Sequence, residues 1–167
     1  MAGINGNTLR HAAPPFIFCI KTAASAILEL KKSSREVKNM SEIKDLVNRY
    51  IAAIHSQDKQ EFRSLWSGSD ADTMISVAKV YCGTDSIVSN FLIGAIQKAY
   101  KEITLIADEE PEIHQLTEDT AIVIFRYHTE CIKRQDDSAY GISGIETQVV
   151  KCIDGQWKLC HVHYSKK

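Results

Sequence analysis

The chain predicts an α+β fold in which helices, placed first, pack on one face of an antiparallel sheet, and three observations carry that prediction. Apolar residues recur at helical spacing between Ser41 and Tyr100, whereas alternating, strand-like runs fill almost everything after Tyr100. The links between those runs hold Pro111, Glu118-Asp119, Asp136-Asp137-Ser138 and Asp154-Gly155, each with turn-forming chemistry. Helices followed by a meander, rather than strands alternating with helices, exclude a doubly wound parallel sheet.

Each element follows from local chemistry. Ser41 is placed to cap a helix whose apolar residues Ile43, Leu46, Val47, Tyr50, Ile51 and Ile54 share one face, ending near Gln57. Asp58 followed by Glu61 predicts a second, capped helix with Phe62, Leu65 and Trp66 turned inward, broken at Gly68-Ser69-Asp70. Met74 to Tyr81 reads as one strand. Gly83-Thr84-Asp85 opens a third helix to about Tyr100, with Ile87, Val88, Phe91, Leu92, Ala95, Ile96 and Ala99 inward. The strands then run Ile103 to Ala107, Glu112 to Leu116, Thr120 to Lys133, Gly144 to Ile153 and Gln156 to Tyr164.

Residues 1–39 read differently. Gly3, Asn5, Gly6, Asn7 and Pro14-Pro15 are loop-like, and the apolar run from Phe16 to Leu30 is interrupted by Lys21 and Glu29, too broken to span a bilayer. A signal-peptide reading takes Arg10 as its basic region and Ala24-Ser25-Ala26 as its small-residue site, which would make the protein secreted, but two prolines and Lys21 weaken it. The preferred reading is an extension over 1–39, with or without a helix from about Phe16 to Lys32, followed by the domain proper over 40–167.

Charge and cysteines exclude several function classes. Residues 1–39 hold six basic and two acidic residues, a net of +4, which leaves −5 of the total −1 for residues 40–167. An acidic domain without a basic stripe is a poor match for a phosphate backbone, so no nucleic-acid partner and no membrane partner are expected. Cys19, Cys82, Cys131, Cys152 and Cys160 are odd in number and lack Cys-x-x-Cys spacing, and they read as reduced core residues of a cytoplasmic protein. No Gly-rich phosphate loop, Gly-x-Ser-x-Gly elbow or His-Glu-x-x-His is present, so neither a cofactor nor a metal is expected.

Three local patterns resemble one superfamily across residues 41–165. They are Tyr50-Ile51-Ala52-Ala53-Ile54 with Asp58 and Phe62 to Trp66, then Tyr81-Cys82-Gly83-Thr84-Asp85-Ser86-Ile87, then Gly144-Ile145-Glu146-Thr147-Gln148-Val149-Val150 leading into Asp154-Gly155-Gln156-Trp157 and the His161-Val162-His163-Tyr164-Ser165 end. Together they are similar to the nuclear-transport-factor-2-like, or SnoaL-like, domains. Pro111-Glu112-Ile113-His114, Thr120-Ala121-Ile122-Val123 and Glu146-Thr147-Gln148-Val149 most resemble the association, or hub, domain of calcium/calmodulin-dependent protein kinases. The resemblance implies a cystatin-like cone with a pocket at its open end and a homodimer formed through the outer sheet face.

The same match places the pocket-facing positions of hub domains on Tyr127, Gln148 and Tyr164, with Phe91 and Phe125 as apolar walls. Phenols and an amide stand where hub pockets carry cations, so an anionic ligand is not implied. Strand alternation puts Glu146 on the face of Gln148. A carboxylate among phenols and apolar walls is a candidate base for isomerase or dehydratase chemistry of the ketosteroid-isomerase type, on a small apolar ligand. The plainer reading has Glu146 bonded to a hydroxyl or paired with Arg126 or Lys151. The rival function is an assembly module without catalysis. Alternation groups Trp157, Leu159, His161 and His163 apart from Cys160, Val162 and Tyr164 and places the two histidines on the outer face, while Trp157 and Trp66 are read as core.

Overall fold

The computed structural model describes residues 15–167, with side chains from Ser25 onward, so the loop-like start and Arg10 lie outside the described residues. Contacts divide the chain into two units, Met1–Asn39 and Met40–Lys167. In the described part of the first unit, Ile27, Leu28, Leu30 and Val37 are exposed on a helix, where Lys32 and Glu36 pair across one turn.

The first helix, α1, runs Pro15–Ser56. Ser41 therefore lies inside a helix and caps nothing, contrary to its sequence signal, because the residues before it continue the helix and leave no free N-terminal amides there. From Ile43 onward, Leu46, Val47, Tyr50, Ala53 and Ile54 are buried along one stripe. Gln57 turns the chain at φ 53°, and α2 (Lys59–Ser64) starts on Asp58, whose carboxylate accepts from the amides of Gln60 at 2.8 Å and Glu61 at 3.0 Å. That cap was legible because it needs only four consecutive residues.

The predicted strand Met74 to Tyr81 is two strands. β1 (Thr73–Ile75) and β2 (Val80–Cys82) form an antiparallel hairpin closed by Ser76, whose amide donates to the Lys79 carbonyl at 2.8 Å. A single helical turn, α3 (Thr84–Ser86), then widens into a π-helix, Ile87–Gln97, that buries Ile87, Val88, Phe91 and Leu92. The strands β3 (Tyr100–Ala107), β4 (Glu112–Gln115), β5 (Thr120–Lys133), β6 (Ala139–Tyr140), β7 (Ser143–Ile153) and β8 (Gln156–Tyr164) follow.

The sheet order is β2-β1-β8-β7-β5-β3, with β4 and β6 also pairing β5. All pairs are antiparallel except β1 and β8, which run parallel, so the sheet is mixed rather than wholly antiparallel and bends into a half-barrel. The long β5 is the organiser: it holds β7 on one side, and on the other it holds β4 along its first part and β3 along its second. Its inward residues Ala121, Val123, Phe125 and Tyr127 meet the α1 stripe in the core. Each such apolar side chain, fully buried, contributes about 1.5–3 kcal/mol.

Alternation holds along β5 and β7 but not along β8. Val149 pairs His161 and Val150 pairs Leu159, so Cys160 is the extra residue of a bulge. Before the bulge Trp157 and Leu159 are buried; after it Val162 is buried and Tyr164 half-buried. That one inserted residue separates Leu159 and Trp157, which is buried as its core reading expects, from His161 and His163, with which strict alternation groups them. His163 is exposed, and His161 Nδ1 lies 2.6 Å from Thr73 Oγ1 on β1.

A buried carboxylate, unremarked in the sequence, ties the corner between α2 and α3. Asp72 is 1% exposed. Its carboxylate accepts from the hydroxyls of Ser67 at 2.5 Å and Thr84 at 2.6 Å and from the amides of Gly68 and Ser69, both at 3.2 Å. Its carbonyl accepts from the Gly83 amide at 2.7 Å.

Candidate active site

Inside the sheet lies a cavity with about 60 Å³ of space reachable by the centre of a water molecule. Its walls are Tyr50 and Ile54 from α1, Phe91 from the π-helix, Tyr100, Ile103 and Leu105 from β3, Tyr127, Thr129 and Cys131 from β5, Ile142, and Tyr164 from β8. Among the described residues no Lys, Arg or His lines it, so it suits an uncharged occupant. A space of that size admits water and, beyond it, only a small molecule.

The aromatic walls interlock. Tyr164 stands perpendicular to Tyr127 at 89° and 6.2 Å between centroids, and packs at 6.2 Å on Phe91, which in turn meets Tyr81 edge-on at 5.7 Å. The Tyr127 hydroxyl donates to the Ser165 carbonyl at 2.8 Å. That contact depends on Gly144, where a Cβ would lie 2.0 Å from the same carbonyl oxygen and 3.2 Å from the Tyr127 ring. Burial pushes the Tyr127 phenol up to about 12, with help from the nearby Glu146 charge, and burial likewise holds Tyr164 above its usual range.

Glu146 and Gln148 lie one layer back. Glu146 is 2% exposed, and Gln148 donates from Nε2 to Glu146 Oε1 at 2.8 Å. The Tyr50 hydroxyl is near enough to act on the carboxylate's pKa. Burial raises the Glu146 pKa from 4.5 to about 7, although Gln148 and Tyr50 both pull it down. Tyr50 is itself held well above the usual phenol range by burial and by Glu146. Of the cations expected as possible partners, Arg126 pairs with Glu109 and Lys151 with Asp119. Gln148 Oε1 is buried without a hydrogen-bond partner.

Of the six residues singled out from the sequence, Tyr127, Tyr164 and Phe91 line the cavity. Glu146 and Gln148 do not line it, and Phe125 is a core residue outside it. Tyr50 is the residue that sequence reasoning missed. Its signal was a phenol inside an otherwise aliphatic helical stripe, where a buried hydroxyl requires a partner.

Among the described residues no group of three His, Cys, Asp or Glu side chains could hold a metal ion, and no helix is long and apolar enough to cross a membrane. His114 lies 3.4 Å from Glu112, and His128 is bonded to Asp108, both away from the cavity.

Comparison with known proteins agrees with this geometry. The family model for the SnoaL-like domain matches residues 43–166. No curated protein matches the chain. Among solved structures, a nuclear transport factor 2 (NTF2-like) superfamily protein from Salmonella enterica serovar Typhimurium is 28% identical, with a TM-score of 0.73 over 75% of this chain and 89% of that one. The hexachlorocyclohexane dehydrochlorinase LinA-type3 from Novosphingobium barchaimii is 12% identical, with a TM-score of 0.71 over 81% and 90%. A Xanthomonas campestris protein assigned as a calcium/calmodulin-dependent protein kinase II association domain is 15% identical, with a TM-score of 0.64 over 75% and 86%. With its family model matched over most of its length and its fold shared with these structures, the chain belongs to the SnoaL-like domain family within the NTF2-like superfamily.

Proposed function

We propose that the domain binds a small, uncharged molecule and shifts a proton on it, as an isomerase or dehydratase without metal or cofactor, with Glu146 as the proton acceptor. The observation that carries this reading is a carboxylate 2% exposed, bonded to the Gln148 amide and to no cation among the described residues, close behind an apolar cavity. A structural carboxylate in such a place is normally paired with a cation or fully hydrogen-bonded, whereas a pKa near neutrality suits a group that takes and returns a proton. The dehydrochlorinase that shares the fold is, by its name, an enzyme that eliminates across a carbon framework, and this scaffold hosts unrelated functions as well. The four described cysteines are free, which supports a reducing, cytoplasmic setting.

Exchange of carbon-bound protons tests the acceptor role. In D₂O at pH 8 the protein is expected to accelerate deuterium uptake α to the carbonyl of cyclohexanone, followed by NMR, and Glu146→Gln to reduce the acceleration by about 10²–10⁴-fold. No acceleration with any of a panel of ring ketones, or full retention in Glu146→Gln, overturns it.

The outer face of the sheet supports a homodimer. Ile122 and Ile124 of β5 lie beside Val149 and Thr147 of β7, and Ile145, 40% exposed, extends the same surface. Rows of β-branched residues on a solvent face are a surface that a second copy can cover. Sedimentation at micromolar concentration is expected to give a dimer, and Ile145→Glu a monomer; a monomeric parent protein removes both the dimer and the assembly function.

A further inference from the structure

We infer that the dimer surface runs on past β7 to His161 and His163 of β8, and that two copies hold together there only while both imidazoles are neutral. The inference rests on the outer-face dimer proposed above and names its regulation. Gln148, Val162 and Met74 are wholly buried on the inner side of β7, β8 and β1, so the residues flanking them point outward. Thr147 pairs His163 and Val149 pairs His161, and on the far side of β8 His161 lies beside Thr73 and His163 beside Ile75. The two imidazoles therefore continue, strand by strand, the surface that Ile122 and Ile124 begin.

What surrounds each histidine decides which of them can switch. His114 lies 3.4 Å from Glu112, and His128 is bonded to Asp108, so a proton taken up by either is matched by a carboxylate. His161 and His163 have no such match. On both flanking strands their neighbours are uncharged, and His161 Nδ1 meets the Thr73 hydroxyl at 2.6 Å. The carboxylates next in sequence to those neighbours, Glu146 on β7 and Asp72 before β1, are buried on the inner side. Across the sheet the first ionisable groups are the Cys82 thiol, one strand past Thr73, and Glu112 and His114, three strands off, about 14 Å at roughly 4.8 Å a strand. Lys151, next along the outer row of β7, and Lys166, beyond the end of β8, are cations and offer a protonated imidazole nothing.

A proton on either imidazole thus adds a charge without a counter-charge. In the single chain water solvates it, since His163 is exposed and His161 partly so. Under a second copy that water is displaced, and the two-fold brings the same histidines of both copies onto one interface. The separate copies then bind protons that the dimer excludes, so the dimer is intact above the ordinary imidazole range and comes apart as pH falls through it. Burial, and after it the charge of His163, already lowers the His161 pKa in the single chain, in the same direction.

Sedimentation at pH 7.5 and pH 5.5, with far-ultraviolet circular dichroism to follow the fold, tests this. The parent protein is expected to be a dimer at pH 7.5 and to have a dimer Kd about 10²-fold or more higher at pH 5.5, still folded, the smallest effect being one proton excluded from each copy. His161→Asn combined with His163→Gln should hold the same Kd at both pH values. A parent dimer equally tight at pH 5.5, dissociation that comes only with unfolding, or dissociation that persists in the double variant overturns the switch. Should the double variant not dimerise at pH 7.5, proton NMR decides: the His161 and His163 ring protons should titrate at lower pH in the parent than in Ile145→Glu, and equal midpoints overturn the inference. A parent already monomeric at pH 7.5 defeats the outer-face dimer itself, a result distinct from all of these.

Discussion

Asp72→Ala is expected to lower the unfolding free energy by about 3–4 kcal/mol, a large fraction of the roughly 5–15 kcal/mol that holds a domain of this size together. Four donors converge on the Asp72 carboxylate: two hydroxyls and two main-chain amides. Removing the acceptor strands them in a corner where Asp72 is 1% exposed, and each buried donor left unmade costs about 1–3 kcal/mol less whatever water recovers. Asp72→Asn keeps one acceptor oxygen and should cost less, about 1–2 kcal/mol, since its amide NH₂ faces donors. Urea denaturation with an unchanged slope and a lowered midpoint is the expected readout. A loss below about 1 kcal/mol in Asp72→Ala would show that the carboxylate is dispensable. Because Thr84 opens α3 and leads into the π-helix that carries Phe91, the same substitution should also loosen the cavity wall.

The second large effect depends on pH. The Glu146 pKa is raised by burial to about 7 from 4.5, so between those values the folded protein keeps a proton that the unfolded chain has released. The folded state then binds more protons than the unfolded one, and stability falls as pH rises through this window, levelling above pH 7. Two and a half pKa units correspond to about 3 kcal/mol for a fully buried group. Glu146→Gln cannot titrate, and its stability curve should lack that fall. The comparison isolates the group, since His161, whose pKa burial lowers, contributes in the opposite sense to both proteins and cancels. Parallel stability curves for the two proteins between pH 5 and 8 would show that Glu146 does not carry the shift.

How far these features could be read from residues alone divides along the reach of the forces involved. Thr120–Lys133 and Gln156–Tyr164 appear with the ends their alternation predicts, and Asp58 caps the helix it announces, because each signal is contained in adjacent residues. The hairpin between β1 and β2 was hidden by Ser76-Val77-Ala78-Lys79, a turn without Gly, Pro, Asn or Asp. The parallel pairing of β1 with β8 joins residues almost ninety apart, which no local pattern encodes. The π-helix was read as α because Ile87, Val88, Phe91 and Leu92 share a face in either geometry.

The site was half legible for the same reason. Inward parity found Tyr127, Gln148 and Glu146 on their strands, and all three are buried. Parity says which side of a sheet a residue occupies and nothing about its depth, so it could not show that Glu146 stays out of the cavity lining while Tyr50 enters it. The bulge at Cys160 belongs to the same class of surprise. A single extra residue changes phase without leaving a mark in composition.

The close meeting of Gly144 with the Ser165 carbonyl bears on how this pocket can diversify. On that side the Tyr127 hydroxyl is pinned by main chain against main chain, and a larger residue at 144 has nowhere to go. Substitutions that reshape the pocket are therefore open at Tyr50, Ile54 and Phe91 on the helical side, while the Gly144 corner stays an anvil against which an occupant is shaped.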